Sequence, residues 1–170
     1  MKVLETERLV LRRLNFDDAA FILTLLNEPS FLQYIGDKGV RTLDDACAYL
    51  RDGPLASYEQ HGFGLYRVEL KTTGEPMGIC GLLKRDTLDD VDVGFAFLPA
   101  FWLQGYATEA ASAVIAYEIK TWGLRRIVAI AQPDNVGSIK TLEKLGFRFE
   151  RMVQLSDDDV ELQLFALESG

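Results

Sequence analysis

The chain has few of the residues that build metal and disulfide sites. Its 170 residues include two cysteines, Cys47 and Cys80, and one histidine, His61. The cysteines lie far apart, and none of the three residues has a neighbour at the spacing of a zinc ligand set. We therefore expect no metal and no disulfide framework, and the sequence predicts buried free thiols.

Long apolar runs and an excess of positive charge are also missing. No stretch approaches the roughly 20 apolar residues of a membrane-spanning helix. The opening MKVLETERLVLRRL carries charges where a signal peptide needs an apolar segment, so we expect a cytoplasmic protein without a membrane partner. The net charge of -8 disfavours nucleic acid, because binding to phosphates requires clustered lysine and arginine. A positively charged substrate suits this balance.

What is present is the composition of an ordinary globular domain, with 48% hydrophobic and 26% charged residues. No repeat, low-complexity tract or linker interrupts the sequence, which predicts a single domain over residues 1–170. The periodicity predicts the order strand, two helices, three strands, helix, strand, helix, two strands. A mixed α/β sheet with helices on both faces follows from this order.

The first half of the chain is punctuated by turn residues and by a change of period after Gly62. Its predicted elements are a strand in RLVLRRL from Arg8, a helix from Asn15 or Asp17 to Pro29, a helix from near Thr42 to Gly53-Pro54, a hairpin of FGLYRVELK and MGICGLLKR, and a strand DDVDVGFAFLP that Pro99 terminates.

The second half is marked by helix-ending glycines. Its predicted elements are a helix over 108–122 with Gly123 as its stop, a buried strand RRIVAIAQ, a helix over 135–147 with Asn135 as N-cap and Gly146 in the left-handed position, and the closing strands FRFERMVQL and DVELQLFAL around an acidic turn at 156–159.

The stretch FWLQGYATEA, residues 101–110, is the first candidate for chemistry. Gly105 permits a tight turn ahead of a helix whose first amide N–H groups have no partner within the helix. Such amides, at the positive end of the helix dipole, form an anion site. The chain has no P-loop motif, and its one G-x-G, at Gly62 and Gly64, leads into a strand. Neither nucleotide fingerprint therefore identifies the anion.

Two motifs together resemble a known family. WLQGYATEA, followed further along the chain by NVGSIKTLEKLGF, is similar to the GNAT superfamily of acyl-CoA-dependent N-acyltransferases, in the branch of the ribosomal-protein N-terminal acetyltransferases RimJ and RimL. The resemblance extends from LETERLVLRRL through GEPMGICGL to DVDVGFAFLP. It implies the GNAT fold, an α/β architecture with a mixed, mostly antiparallel sheet of about seven strands, a splayed parallel pair and helices on both faces.

The resemblance implies acetyl-CoA as cosubstrate and assigns residues to it. In this family a turn of pattern R/Q-x-x-G-x-G/A holds the coenzyme pyrophosphate, and here Trp102 departs from its first position, which leaves the binding to backbone amides. The implied coenzyme-binding residues are Phe97 and Leu98 through their backbones along the pantetheine arm, Gln104, Gly105, Tyr106, Ala107 and Thr108 at the pyrophosphate, Asn135 at the pantetheine arm, and Ser138 near the thioester sulfur.

The reaction also needs a neutral amine, whereas a lysine has an unperturbed pKa near ~10.4 and an α-amino group one near ~8. A base is therefore useful. Asp92 stands where relatives often have a glutamate, and its shorter side chain favours action through water. A strand amide near Phe95 to Phe97 is a candidate donor to the oxyanion. Ser138 is a candidate hydrogen-bond donor to the leaving thiolate, so Asp92 and Ser138 are the catalytic candidates.

We expect an N-acetyltransferase that moves an acetyl group from acetyl-CoA to a primary amine by direct attack in a ternary complex. The favoured acceptor is a protein or peptide N-terminal α-amine. The alternatives are a small amine (an amino acid, polyamine or antibiotic) and a non-catalytic module that binds acyl-CoA. The motifs do not identify the acceptor, because residues 28–60 and 154–160, which they cover least, shape its pocket. The oligomeric state is open, with a homodimer as one candidate.

Overall fold

The computed structural model describes residues 1–156 and 160–169 of the chain. Eight strands form one sheet in the order β1-β2-β3-β4-β5-β6-β8-β7. The neighbours β5 and β6 are parallel, and the other six neighbouring pairs are antiparallel. The strands are Lys2–Glu5 (β1), Leu9–Arg13 (β2), Leu65–Leu70 (β3), Pro76–Leu83 (β4), Asp92–Phe97 (β5), Arg126–Ala131 (β6), Arg148–Val153 (β7) and Leu162–Glu168 (β8).

Helices cover both faces of the sheet. The α-helices in the described part of the chain are Ala19–Leu26 (α1), Pro29–Tyr34 (α2), Leu43–Leu50 (α3), Ala56–His61 (α4), Tyr106–Trp122 (α5) and Val136–Lys144 (α6). On the first face, α5 and α6 share a buried cluster with Val93 and Phe97 of β5. On the second face, α1 and α3 form another cluster with Leu65 and Ile79. Alternation along each strand sends successive side chains to opposite faces and so supplies both clusters.

The predicted fold is confirmed, with one strand more than the pattern indicated. β1 pairs antiparallel with β2 at the edge of the sheet. Its four residues, KVLE, are half-buried or exposed, so they lack the long apolar alternation that marks an inner strand. An edge strand of this kind leaves little trace in the sequence.

The first half has two helices that the sequence did not predict. α1 ends at Leu26, ahead of Pro29 as expected, but Pro29 then begins α2, because the first helical position needs no N–H donor. Gly53-Pro54 does not end the second predicted helix. The chain continues through a wide π-helical turn, Arg51–Leu55, into α4, and this wider turn accommodates a proline that would break a regular α-helix.

Both helices of the second half were predicted, and only the start of α5 differs. α5 starts at Tyr106, two residues earlier than predicted, with Gly105 as N-cap at φ 82°, and Gly123 is its C-cap as expected. Asn135 caps α6 by accepting a hydrogen bond of 3.3 Å from the Ser138 amide. Gly146 follows α6 with φ 96°, and the amide of the next residue bonds back to the Leu142 carbonyl at 3.0 Å, as in a Schellman motif.

The closing strands are β7 and β8, and of the acidic turn predicted between them residues 157–159 lie outside the described part. Cys80 is buried and Cys47 half-buried, and both are free. Among the described residues, no helix combines the length and apolar character needed to cross a membrane.

Candidate active site

A slot opens in the sheet between β5 and β6. These parallel strands pair only where Asp92 lies opposite Val128, and the amide of Val128 donates to the Val91 carbonyl at 3.0 Å. Beyond this point no register pair joins the described residues of the two strands. The amide of Leu98 bonds to Met77 of β4. Because backbone groups along a strand point alternately to its two sides, those of Phe95 and Phe97 point away from β4 and toward the slot. Unpaired strand edges therefore line it.

The two predicted pantetheine contacts at the end of β5, Phe97 and Leu98, differ in their free groups. The Leu98 amide donates to the Met77 carbonyl at 2.9 Å, and its carbonyl accepts from Phe101 at 2.9 Å. The amide of Leu98 is therefore engaged within the protein, and its carbonyl is the group that remains able to accept a further bond. The Phe97 carbonyl accepts a bond of 2.9 Å from the Trp102 indole. By alternation, the free donors toward the slot are the amides of Phe97 and Phe95.

Two helices begin at the open end of the slot. Parallel strands end at the same edge of a sheet, and ligands bind in the crevice beyond such carboxyl ends. Here β5 leads to the turn before α5, and β6 leads to α6. The structure thus brings Gln104, Gly105, Tyr106, Ala107 and Thr108 to the same edge as Asn135 and Ser138. Both helix N-termini present amides and a positive dipole end there.

Asp92 marks the closed end of the slot. Its side chain is 1% exposed, and Arg85 Nε donates to its Oδ1 at 3.1 Å. Burial raises the pKa of Asp92, and the nearby Arg85 opposes this rise only in part. A carboxylate with a raised pKa accepts a proton more readily near neutral pH than an ordinary aspartate does. Burial thus shifts the Asp92 pKa in the direction that a general base requires.

The sequence of residues 8–148 matches the family model of the acetyltransferase (GNAT) domain. The chain belongs to the GNAT family of acetyltransferases.

Relatives of this acetyltransferase agree with the match. The N-acetyltransferase YnaD of Bacillus subtilis is 30% identical over 145 residues, which cover 85% of this chain and 82% of YnaD. The structure of RimL, a ribosomal L7/L12 alpha-N-protein acetyltransferase in complex with coenzyme A, superimposes with TM-score 0.83 at 16% identity, covering 99% of this chain and 98% of RimL. The microcin C7 self immunity acetyltransferase MccE, with acetyl-CoA and AMP, gives TM-score 0.81 at 16% identity, covering 96% of this chain and 94% of MccE. These structures share the fold.

The catalytic candidates of the acetyltransferase lie on opposite faces of the sheet. Asp92 alternates with Val93, a residue of the first face, so its side chain points to the second face. Ser138 is in the first turn of α6, which packs on the first face. A group inserted through the slot would meet Asp92 on one side and Ser138 on the other.

The second face of the acetyltransferase carries two surface cavities. One, of about 420 Å³, is lined by Tyr49, Asp45 and Asp52 among others. Burial raises the pKa of the Tyr49 phenol, with Arg85 opposing, so Tyr49 lies in the field of the arginine that pairs with Asp92. The other, of about 530 Å³, lies between Thr87 and the end of β7. Within residues 1–156 and 160–169, no cluster of three His, Cys, Asp or Glu side chains could hold a metal ion.

No pattern in the sequence pointed to Arg8 as a site residue. It precedes β2, yet its Nη1 donates to the Gln104 carbonyl at 3.1 Å, across 96 positions of sequence. Only the sheet topology brings the two together.

The sequence also did not indicate Arg85, which lies in the connection between β4 and β5. Its bond to Asp92 depends on the path of that loop.

Proposed function

We propose that this acetyltransferase moves an acetyl group from acetyl-CoA to a primary amine by direct attack in a ternary complex, and that its acceptor is the N-terminal α-amine of a protein or peptide. The observation that carries the proposal is the slot itself. β5 and β6 part beyond Asp92, and α5 and α6 both begin at the open end. In this proposal the protein belongs to the RimJ/RimL-like branch and acts in the cytoplasm.

The residues at the open end fit acetyl-CoA. The amides from Gln104 to Thr108 suit the pyrophosphate, since the first helix amides lack internal partners. Gly105 has φ 82°, and a side chain there would start 3.4 Å from Arg8 Nη2, so a glycine keeps this approach open. The free amides of Phe95 and Phe97 would bond the pantetheine arm as a neighbouring strand does. Asn135 uses its oxygen as a cap and keeps its NH₂ group for the same arm.

The chemistry requires that two protons leave the acceptor nitrogen. Asp92 takes the first, from the ammonium, through a water molecule, which frees the lone pair for attack on the thioester carbonyl. The C–N bond then forms, and an amide of β5 near Phe95 donates to the developing oxyanion. As the C–S bond breaks, Ser138 donates a hydrogen bond to the leaving thiolate. The second proton passes from nitrogen to sulfur through water, which gives an amide and a free thiol.

The acceptor side supports a cationic amine. The cavity beside Tyr49 is lined by Asp45 and Asp52 together with Lys38, and the net charge of -8 over the whole chain favours an ammonium as acceptor. The likeness to RimL, named as an alpha-N-protein acetyltransferase, favours a protein N-terminus. The same fold in MccE, named for self immunity to microcin C7 and not for a protein N-terminus, keeps a small amine as the alternative. The third reading, an acyl-CoA-binding module, makes no use of the buried Asp92.

A panel of amines tests the proposal. Peptides that differ in their first residue and a set of small amines are each mixed with acetyl-CoA, and release of free thiol is measured. Thiol release with peptides supports the N-terminal acceptor, and release with small amines alone refutes it. Binding of acetyl-CoA without thiol release across the whole panel would favour the module. Unchanged release by an Asp92→Ala, Ser138→Ala double variant would overturn both catalytic assignments.

A further inference from the structure

The turn that precedes α5 has no positive charge of its own. From Leu98 to Ile119 the sequence contains no lysine, arginine or histidine, whereas Glu109 stands in the first turn of α5. A pyrophosphate bound at this helix N-terminus would lie near that carboxylate, and like charges repel. A cation from another part of the chain is therefore needed to balance the site.

Arg8 supplies that cation. Its Nε lies 2.7 Å from Glu109 Oε1, and its backbone amide donates to Oε2 at 3.0 Å. Thr6 Oγ1 donates to the same carboxylate oxygen. Burial alone would raise the pKa of Glu109, but the bonds from Thr6 and Arg8 outweigh burial and lower it. Glu109 thus stays ionised, and the positive charge of Arg8 balances its negative charge.

Further contacts aim Arg8 at the turn itself. Its Nη1 donates to the Gln104 carbonyl at 3.1 Å, and its guanidinium lies 4.3 Å from the centre of the Tyr106 ring. Nη2 points toward Gly105, where it would be 3.4 Å from an added Cβ. The Arg8 side chain is 41% exposed. Since a guanidinium carries five N–H donors in a planar fork, the donors of Nη2 remain directed at the space above Gly105.

We propose that Arg8 is a phosphate-binding residue of the acetyl-CoA site, whose Nη2 donates to an oxygen of the coenzyme pyrophosphate while Nε and Nη1 remain on Glu109 and Gln104. This inference rests on the proposed function, because it assumes the coenzyme at this turn. Arginine suits the task, since its fork matches phosphate geometry and its charge is permanent. In this role Arg8 binds the coenzyme and takes no part in the transfer of the acetyl group.

The test compares ligands with and without phosphates. Coenzyme A binding to wild type and to Arg8→Ala, Arg8→Gln and Arg8→Lys is measured by calorimetry. The kinetics of thiol release are measured with acetyl-CoA and with S-acetylpantetheine, which lacks the pyrophosphate and the nucleotide. Lys120→Ala is the matched control, because it removes one exposed positive charge at the far end of α5. Thermal unfolding shows which variants are folded.

We expect Arg8→Ala to weaken coenzyme A binding by roughly 10-fold or more and to raise KM for acetyl-CoA with little change in kcat. The KM for S-acetylpantetheine should stay at the wild-type value, and Arg8→Lys should recover part of the lost affinity. An equal loss with both thioesters, or undiminished coenzyme A binding by a folded Arg8→Gln variant, would overturn the assignment. If wild type itself does not bind coenzyme A, the coenzyme site fails together with the role of Arg8.

Discussion

The indole nitrogen of Trp102 donates a hydrogen bond of 2.9 Å to the main-chain carbonyl of Phe97. This bond occupies one polar group on the edge of the slot between β5 and β6, while the Trp102 residue stays 46% exposed to solvent. The next residue, Leu103, is fully exposed and has a positive φ of 61°. Residues other than glycine rarely adopt this backbone conformation, and backbone strain of this kind is often found at ligand sites.

Binding of coenzyme A should therefore change the fluorescence of Trp102. A pantetheine arm in the slot would contact or displace the indole and alter the polarity around it. The other tryptophan, Trp122, is as exposed as Trp102, but it lies at the C-terminal end of α5, far from the slot, where it donates to Glu118, and it should respond little. We expect the signal to persist in Trp122→Phe and to vanish in Trp102→Phe. A signal that survives in Trp102→Phe, with binding confirmed by calorimetry, would contradict this placement of the coenzyme.

Asp92 should control the acid limb of the rate profile. A general base must be deprotonated to act, so kcat should fall as the pH decreases through the pKa of Asp92, which burial raises above its ordinary value near 3.8. Replacement by asparagine should lower kcat by about 100-fold, at the low end of general-base effects because a water intervenes. It should leave KM for acetyl-CoA unchanged and abolish this limb.

The matched control for that experiment is Asp89→Asn, since Asp89 is exposed in the same connection between β4 and β5. Its pH profile should coincide with that of wild type. A profile of Asp92→Asn that keeps the acid limb would show that another group titrates, and a parallel loss in both variants would show an effect of net charge alone.

Local signals predicted most of the fold and the turn before α5. Asn135 and Gly146 mark the ends of α6 through hydrogen bonds to residues only a few positions away. Such bonds depend on the local sequence alone, so the sequence predicts them. Pro99 marks the end of β5, and the apolar run RRIVAIAQ locates β6. Glycine in a left-handed conformation before α5 likewise follows from the local pattern.

Contacts between distant segments could not be predicted. Arg8 and Glu109 are 101 positions apart, and the sequence around one residue does not indicate that the other is its partner. The engagement of the Leu98 amide depends on its register with Met77 of β4, which only the paired strands define. The ion pair of Asp92 depends on the path of the loop that holds Arg85. Charge balance and free donors at the site are thus properties of the assembled sheet.

Gly105→Ala should affect both stability and coenzyme binding, and Gly123→Ala should affect stability alone. Both glycines flank α5 with positive φ, 82° and 66°, so each alanine costs about 1–2 kcal/mol of backbone strain. An added Cβ at Gly105 also meets Arg8 Nη2, whereas none of the described atoms lies within 4 Å of one at Gly123. We expect similar losses in urea unfolding, but a higher KM for acetyl-CoA only in Gly105→Ala. A KM increase in both variants would indicate a general effect of destabilising α5.

Glu118 should make the protein less stable as the pH rises. This residue is fully buried on α5, where Tyr66 and Trp122 donate to its carboxyl group at 3.1 and 2.7 Å. Burial raises the pKa of Glu118, and these two bonds counter the rise only in part. The folded state therefore holds the proton more tightly than the unfolded state does. The stabilisation is complete below the ordinary pKa of 4.5 and is lost as the pH rises through the higher folded pKa.

Urea unfolding of wild type and Glu118→Gln over a pH series isolates this effect. Glutamine stays neutral, so the stability of the variant relative to wild type should increase with pH across the window above about 4.5, by at most about 1.4 kcal/mol per pH unit. Glu143→Gln, on the exposed side of α6, should follow the wild-type curve. A constant difference between Glu118→Gln and wild type would mean that the Glu118 pKa is the same in the folded and unfolded states. The hydrogen bonds from Tyr66 and Trp122 would then compensate fully for the burial of the carboxylate.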